Sequence, residues 1–251
     1  MISIKSNREI ELLRIAGNIV HETRMYLIPF IKEGITTKEL DTLAEEFIRS
    51  KGATPSFKGY GDYPASICTS INEEVVHGIP GKRKLRNGDI ISIDIGACYK
   101  GYHGDSAWTF AVGEISFAKK ELMEHTKESL FKGLEQVKPG NRIGDISHAI
   151  EEHAKKYNLG VIRELVGHGV GTSVHEEPDV PNYGKAGSGP ILKEGMVLAI
   201  EPMLTLGRRD ICILDDDWTI ETVDRSPSAH FEHTVVVTKD GVEILTGGID
   251  G

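Results

Sequence analysis

The 251-residue chain predicts an α+β fold built as two duplicated halves, with antiparallel sheets forming a floor and helices covering the outer side. Two observations carry this. The stretch Leu85-Arg-Asn-Gly-Asp-Ile-Ile-Ser-Ile-Asp94 is echoed by Leu192-Lys-Glu-Gly-Met-Val-Leu-Ala-Ile-Glu201, an offset of 107 residues. Upstream, Ile31-Lys-Glu-Gly34 matches Val137-Lys-Pro-Gly140, and Glu45-Glu46 matches Glu151-Glu152, both at an offset of 106. Matches at nearly one offset mark an internal duplication. The expected division is one domain, 1–251, with halves of about 1–110 and 111–251.

Ser6-Asn-Arg-Glu9 is a capping box that starts a first helix, and Thr36-Thr-Lys-Glu39 starts a second. Apolar residues then recur at helical spacing: Ile10, Leu13, Ala16, Ile19 and Val20, then Leu40, Leu43, Ala44, Phe47 and Ile48. Ala53 to Pro64 reads as a loop, Ile67 to Ile71 as a strand, and Asp89 to Ile95 as the strand of the opening motif. Tyr99-Lys-Gly-Tyr102 is a hairpin tip with Gly101 supplying the unusual φ. A two-residue Lys100-Gly101 turn pairs Tyr99 with Tyr102, Ile95 with Ser106 and Asp94 with Ala107. Asp94 and Asp105 then become diagonal neighbours on one face, roughly 7–8 Å apart at the backbone. The other face carries Ile91, Ile93, Ile95, Trp108 and Phe110, a candidate core. A third helix runs from Ser116 to about Val137 and a fourth from Ile143 to Tyr157. Gly167-His168-Gly169-Val170-Gly171 reads as a glycine-rich turn. Thr219 to Thr222 and Phe231 to Thr238 are further strands, and the three residues before Gly251 carry no signal.

Composition narrows the function. A net charge of −9 without Lys/Arg clusters argues against dedicated nucleic-acid or anionic-membrane partners. Three cysteines, Cys68, Cys98 and Cys212, form no CxxC pair and fit a reducing compartment. Met1-Ile-Ser-Ile-Lys5 shows no signal peptide, and no stretch approaches the ~20 apolar residues of a membrane span. The expected location is cytoplasmic.

Four carboxylates fall near the seam of the two halves: Asp94, Asp105, Glu201 and Glu232, all placed on strands. Convergent acids repel strongly and are costly to bury without positive charge. No Lys or Arg stands beside them in the local segments. Two divalent ions would neutralise the set, with His168 adding one nitrogen ligand. Oxygen-rich donors with a single imidazole suit Mn, Fe(II), Co or Zn. Paired metals lower the pKa of a water and polarise a carbonyl. His77 and His175, one from each half, are the candidates to steady a tetrahedral intermediate. Taken singly, each residue also reads as structural: Asp94 as a strand end, Asp105 as a turn cap, Glu232 as an edge-strand surface residue, the histidines as loop or core residues. Their combination is what points to a metal site.

The segments Ser70-Ile-Asn-Glu-Glu-Val-Val-His77-Gly-Ile-Pro80, Asp89-Ile-Ile-Ser-Ile-Asp94, His103-Gly-Asp105, Gly167-His168-Gly169, His175-Glu-Glu-Pro178, Ile200-Glu201-Pro-Met203 and Phe231-Glu232-His-Thr234 together resemble bacterial type I methionine aminopeptidases, in the family's order and over nearly the whole chain. The resemblance implies the pita-bread fold (creatinase/aminopeptidase-like) and a dinuclear divalent centre. Asp94, Asp105, His168, Glu201 and Glu232 match its ligands, Asp105 and Glu232 bridging. Glu201 also matches the general base, and His77 and His175 the histidines that contact substrate. Phe57, Tyr60, Tyr63, Cys68 and Trp218 match the methionine pocket, which suits a polarizable thioether. Asn72 and Ser228 match a monovalent-cation site. One departure is Val174, where some members carry Phe; it bears on pocket width. The implied reaction removes the initiator methionine of nascent polypeptides when the next residue is small. Ribosome contact and a monomeric state are further expectations. Two alternatives stand beside this: a proline-directed peptidase of the same fold, and a binding module that has lost catalysis.

Overall fold

Helix caps and a tight hairpin organise the molecule from its sequence outward. The structure, a computed structural model, describes residues 2–248. Met1, which opens the N-terminal stretch read above, and Ile249, Asp250 and Gly251 lie outside the described residues. Helices α1 (Asn7–Leu27) and α2 (Thr37–Ser50) both begin at the expected capping boxes, with Ser6 and Thr36 each accepting from the third backbone N–H. Strands β1 (Thr54–Pro55), β2 (Ile67–Ile71), β3 (Glu74–Val76), β4 (Ile90–Tyr99) and β5 (Tyr102–Ala111) follow. Then come α3 (Phe117–Leu134), α4 (Ile143–Lys156), β6 (Gly160–Val161), β7 (Gly167–Gly169), β8 (Glu176–Val180), β9 (Val197–Ile200) and β10 (Met203–Thr205). The chain continues with β11 (Ile211–Ile213), β12 (Ile220–Thr222), β13 (Ser228–His230), β14 (His233–Thr238) and β15 (Gly241–Ile244).

The β4–β5 hairpin adopts the register expected from its turn: Tyr99 opposes Tyr102, Ile95 opposes Ser106 and Asp94 opposes Ala107. Lys100 and Gly101 both have positive φ, 49° and 83°, as a two-residue turn of this twist requires. This hairpin, with β1 and β2, forms the antiparallel sheet of the first half. The second half has the five-stranded sheet β15-β14-β9-β7-β8, also antiparallel throughout. Two three-stranded sheets, β13-β10-β6 and β11-β12-β3, complete the floor.

The matching segments of the two halves make matching backbone hydrogen bonds. Gly34 N–H donates to Leu85 C=O (2.9 Å) and Gly140 N–H to Leu192 C=O (3.1 Å). Leu85 N–H returns a bond to Ile35 C=O (2.9 Å), and Leu192 N–H to Asn141 C=O (2.7 Å). Each half thus latches the start of its second helix to the segment leading into its central strand. Each half also has its own core. One gathers Leu40, Ile48, Ile67, Ile91, Ile93 and Ile95 under α1 and α2; the other gathers Leu122, Leu130, Ile146, Ile150, Leu198 and Val235 under α3 and α4.

Four expectations change. Trp108 packs with the second half's core, edge-on to Phe231 at 5.2 Å and beneath the Arg24 guanidinium at 4.3 Å, because it stands on the seam. The Ala53–Pro64 loop contains β1 and a short 3₁₀ turn at Tyr60–Asp62. Gly167-His168-Gly169 is a strand rather than a turn: a Cβ on Gly167 would strike Ala199 O, and one on Gly169 would strike Glu177 O. Those glycines serve close strand approach, not chain reversal. Finally, the expected Phe231–Thr238 strand begins only at His233; Phe231 and Glu232 form a break after β13.

Candidate metal centre and active site

The seam is fastened by side-chain hydroxyls of β5 and β14. Asp105 N–H donates to Thr234 Oγ1 (3.0 Å), and that hydroxyl donates back to Asp105 C=O (2.7 Å). Ser106 Oγ donates to Glu232 C=O (2.6 Å), and Glu232 N–H to Ala107 C=O (2.8 Å). Thr109 Oγ1 bonds both backbone groups of His230, each at 2.9 Å. These bonds fix the hairpin that carries Asp94 and Asp105 against the segment that carries Glu232.

The four carboxylates and His168 converge on one cavity of about 260 Å³. Asp94 and Asp105 stand within regular strands. Glu201 and Glu232 instead occupy breaks, after β9 and after β13. Pro202 has no N–H to continue a ladder, which accounts for the first break. His168 Nε2 lies 3.4 Å from Glu201 Oε1 and 3.9 Å from Asp105 Oδ2. Asp105, His168 and Glu232 each present one donor atom within 4.8 Å of the others, as do Glu201, His230 and Glu232.

Electrostatics make this arrangement demand a cation. Burial pushes Asp94 up to about 6, the His230 ring opposing and the Glu201 charge adding to it. Burial lifts Glu201 to about 8. Burial, then the neighbouring carboxylates, holds Asp105 and Glu232 well above the usual range. Burial also drives His168 down to about 3 and His77 and His230 each to about 4, so these imidazoles are neutral at pH 7. Asp94 Oδ1, Asp105 Oδ1 and Glu232 Oε1 are buried without a hydrogen-bond partner among the described residues. Neutral imidazole and orphaned carboxylate oxygens are the donor set that divalent ions take, so the residues fit such a centre.

The cavity walls carry the expected pocket residues Phe57, Tyr60, Tyr63, Cys68 and Trp218, together with His77 and His175. Tyr63 and Trp218 meet edge-on at 5.0 Å. Cys68 opposes Asp94 across β2–β4, placing pocket and centre side by side. Val174 is buried beside Phe57 and Cys68. His175 Nδ1 bonds Tyr60 Oη (3.0 Å), and its ring lies 4.1 Å from that of His168. His77 holds a positive φ of 60°, backbone strain of the kind kept at functional sites. Asn72 and Ser228 are also brought together, Ser228 N–H donating to Asn72 C=O (2.8 Å), while Lys119 Nζ donates to Asn72 Oδ1 (2.8 Å).

Sequence reasoning missed His230, whose Nε2 is 3.2 Å from Glu201 Oε2 and 4.0 Å from Glu232 Oε2. Its signal was its place two residues before Glu232. The apolar wall residues Leu165, Val166 and Met203 were also unassigned; isolated apolar residues in loops and short strands carry no such mark.

A buried carboxylate–imidazole centre at the seam of a two-part antiparallel floor, opening on an apolar cavity, defines a metal-dependent hydrolase of the pita-bread fold. The chain belongs to metallopeptidase family M24, whose model matches residues 11–239. It is 56% identical over 246 residues to methionine aminopeptidase 1 of Bacillus subtilis, covering 98% of this chain and 99% of that one. It is similar to the crystal structure of methionine aminopeptidase from Rickettsia prowazekii, with TM-score 0.97 and 42% identity over 98% of this chain and 100% of the other. Similarity to the prolidase from Pyrococcus horikoshii is lower, with TM-score 0.80 and 28% identity over 98% of this chain and 63% of that one.

Proposed function

We propose that this chain is a metal-dependent aminopeptidase that removes the initiator methionine from new polypeptides whose second residue is small. The observation that carries the reading is the juxtaposition of the carboxylate centre with the apolar, sulfur- and aromatic-lined cavity. Asp94, Asp105, His168, Glu201 and Glu232 would hold two divalent ions, drawn from Mn, Fe, Co and Zn. Such ions supply a Lewis acid for the scissile carbonyl and a lowered pKa for water. Glu201 takes the proton of the attacking water and passes it to the departing amine. His77 and His175, from opposite halves, donate to the oxygen on which negative charge develops. Phe57, Tyr60, Tyr63, Cys68 and Trp218 enclose the methionine side chain, whose thioether favours polarizable aromatic contact. The seam bonds at Asp105 and Glu232 tie the carboxylates of the two halves to one another.

The chain is proposed to work as one catalytic domain whose halves divide near residue 110, as a monomer, in the cytoplasm, where its free thiols fit. Ribosome contact and a monovalent cation at Asn72 and Ser228 belong to the same proposal. Among the described residues, no helix is long and apolar enough to cross a membrane. Incubation with Met-Ala and Ala-Pro peptides tests the reading. Preferential cleavage of Met-Ala is expected. Faster cleavage of Ala-Pro overturns it in favour of a prolidase, and protein that neither binds metal nor cleaves either peptide is a binding module.

A further inference from the structure

A second histidine–carboxylate cluster lies on α3 and α4, helices that contribute none of the residues of the catalytic centre. On α3, Glu121, His125 and Glu128 fall at i, i+4 and i+7, one face of the helix. His153 of α4 meets them. Glu128 Oε2 is 2.9 Å from His125 Nδ1 and 3.2 Å from His153 Nε2. One nitrogen of each ring and one Glu128 oxygen lie within 4.8 Å of one another. Tetrahedral zinc with ligands at 2.0–2.2 Å sets its donor atoms roughly 3.3–3.6 Å apart, close to the spacing found here.

The second observation is that one nitrogen of each ring is left unsatisfied by the protein, while His125 Nδ1 hydrogen-bonds Glu128 Oε2. The His153 side chain is 10% exposed and that of His125 11%. Nε2 of each is buried without a hydrogen-bond partner among the described residues. His153 Nε2 faces Glu128 at close range yet outside hydrogen-bonding geometry. An orphaned buried nitrogen is costly, and the His153 Nε2, aimed at the Glu128 carboxylate that His125 Nδ1 also meets, is satisfied by a metal between them. The His125 ring is held by stacking on Tyr157, 3.4 Å between centroids and 14° between planes. Glu128 is half-exposed and opens the cluster to solvent. Glu121 Oε2, 3.5 Å from His125 Nε2, adds negative charge beside it.

We infer that His125, Glu128 and His153 form a second metal site, for zinc or a similar imidazole-preferring divalent ion, that fastens α3 to α4. Two imidazoles and one carboxylate suit Zn²⁺ over the oxygen-preferring Mn²⁺ and Mg²⁺, and leave a fourth position to water. The site is distinct from the seam centre in residues and elements.

The test uses the full chain, dialysed against Zn²⁺ and washed, with bound zinc counted per chain by elemental mass spectrometry. His153→Gln and Glu128→Gln are each expected to hold one zinc fewer than the unmodified protein. Both are expected to keep Mn²⁺-supported peptide cleavage within about twofold, which reports an intact fold and seam centre. Zn²⁺ should raise the melting temperature of the Mn²⁺-loaded unmodified protein more than that of either variant. Equal zinc content in all three proteins overturns the proposal. So does loss of zinc in His153→Gln alone, because the site requires Glu128 as its third ligand.

Discussion

The two halves deliver their carboxylates differently. Asp94 and Asp105 sit on a regular hairpin whose register follows from a two-residue turn. Glu201 and Glu232 sit where ladders are interrupted, and their positions depend on Pro202 and on hydrogen bonds from the other half. Local chain chemistry fixes one pair, and tertiary contact fixes the other. A regular strand offers rigid placement with little dependence on neighbours. A strand break allows a carboxylate to turn inward, but only once the seam is closed.

The largest test of that contrast is Asp105→Asn. Turnover should fall by on the order of 10³-fold or more, while the melting temperature stays within a few degrees because the hairpin ladder is untouched. Activity near that of the unmodified protein counts against a role for Asp105 in the centre. Thr234→Val attacks the dependent half. It removes both seam bonds to Asp105 and leaves a buried N–H unpaired, a cost of about 1–3 kcal/mol read by denaturant unfolding. Unchanged stability shows that the seam is held by other contacts.

The metal-free protein should also show the charge it lacks. Glu201, raised from 4.5 to about 8, keeps its proton in the folded chain after the unfolded chain has released it. Asp94, raised from 3.8 to about 6, does the same. The imidazoles of His77, His168 and His230, depressed from 6.5, act in the opposite sense, so the decline is expected above pH 6.5, where they are neutral in both states and Glu201 still holds a proton that unfolding releases; stability falls there as pH rises through about 8. Chelator-treated protein should melt lower at about pH 9 than at about pH 7, and added Mn²⁺ should narrow or reverse the gap because bound metal replaces the protons. A melting temperature that rises with pH over that range under chelation contradicts this account. The smallest effect is expected at Gly101→Ala. No atom lies near the added Cβ, so the cost is that of the positive φ alone, about 1–2 kcal/mol, with activity unchanged. A loss of activity there makes the hairpin tip part of the site.

Much of this was legible because its determinants are local. Both capping boxes and the hairpin register follow from short segments, and the Lys-x-Gly echo marked the places where the backbone latches at Gly34 and Gly140 are found without foretelling the bonds themselves. His230 was missed because a histidine beside a core aromatic reads as packing until Glu201, 29 residues earlier in the chain, is brought to it. Gly167-His168-Gly169 was misread because glycine that admits a neighbouring strand looks, in one dimension, like glycine that turns the chain. The break at Glu232 had no local signal, since the residues around it are good strand formers and the interruption is imposed by β5.

The crosswise bonding of Thr109, Ser106 and Thr234 has a consequence for traffic through the enzyme. A floor stitched across its midline by paired hydroxyl and amide groups is a keel, not a clamshell. Entry of a peptide and escape of its first residue then fall to the rim, to the side chains of His175, Tyr60 and Trp218. Compounds gripping the keel should meet the same surface before and after each turnover, whereas those wedged at the rim should compete with every passing substrate.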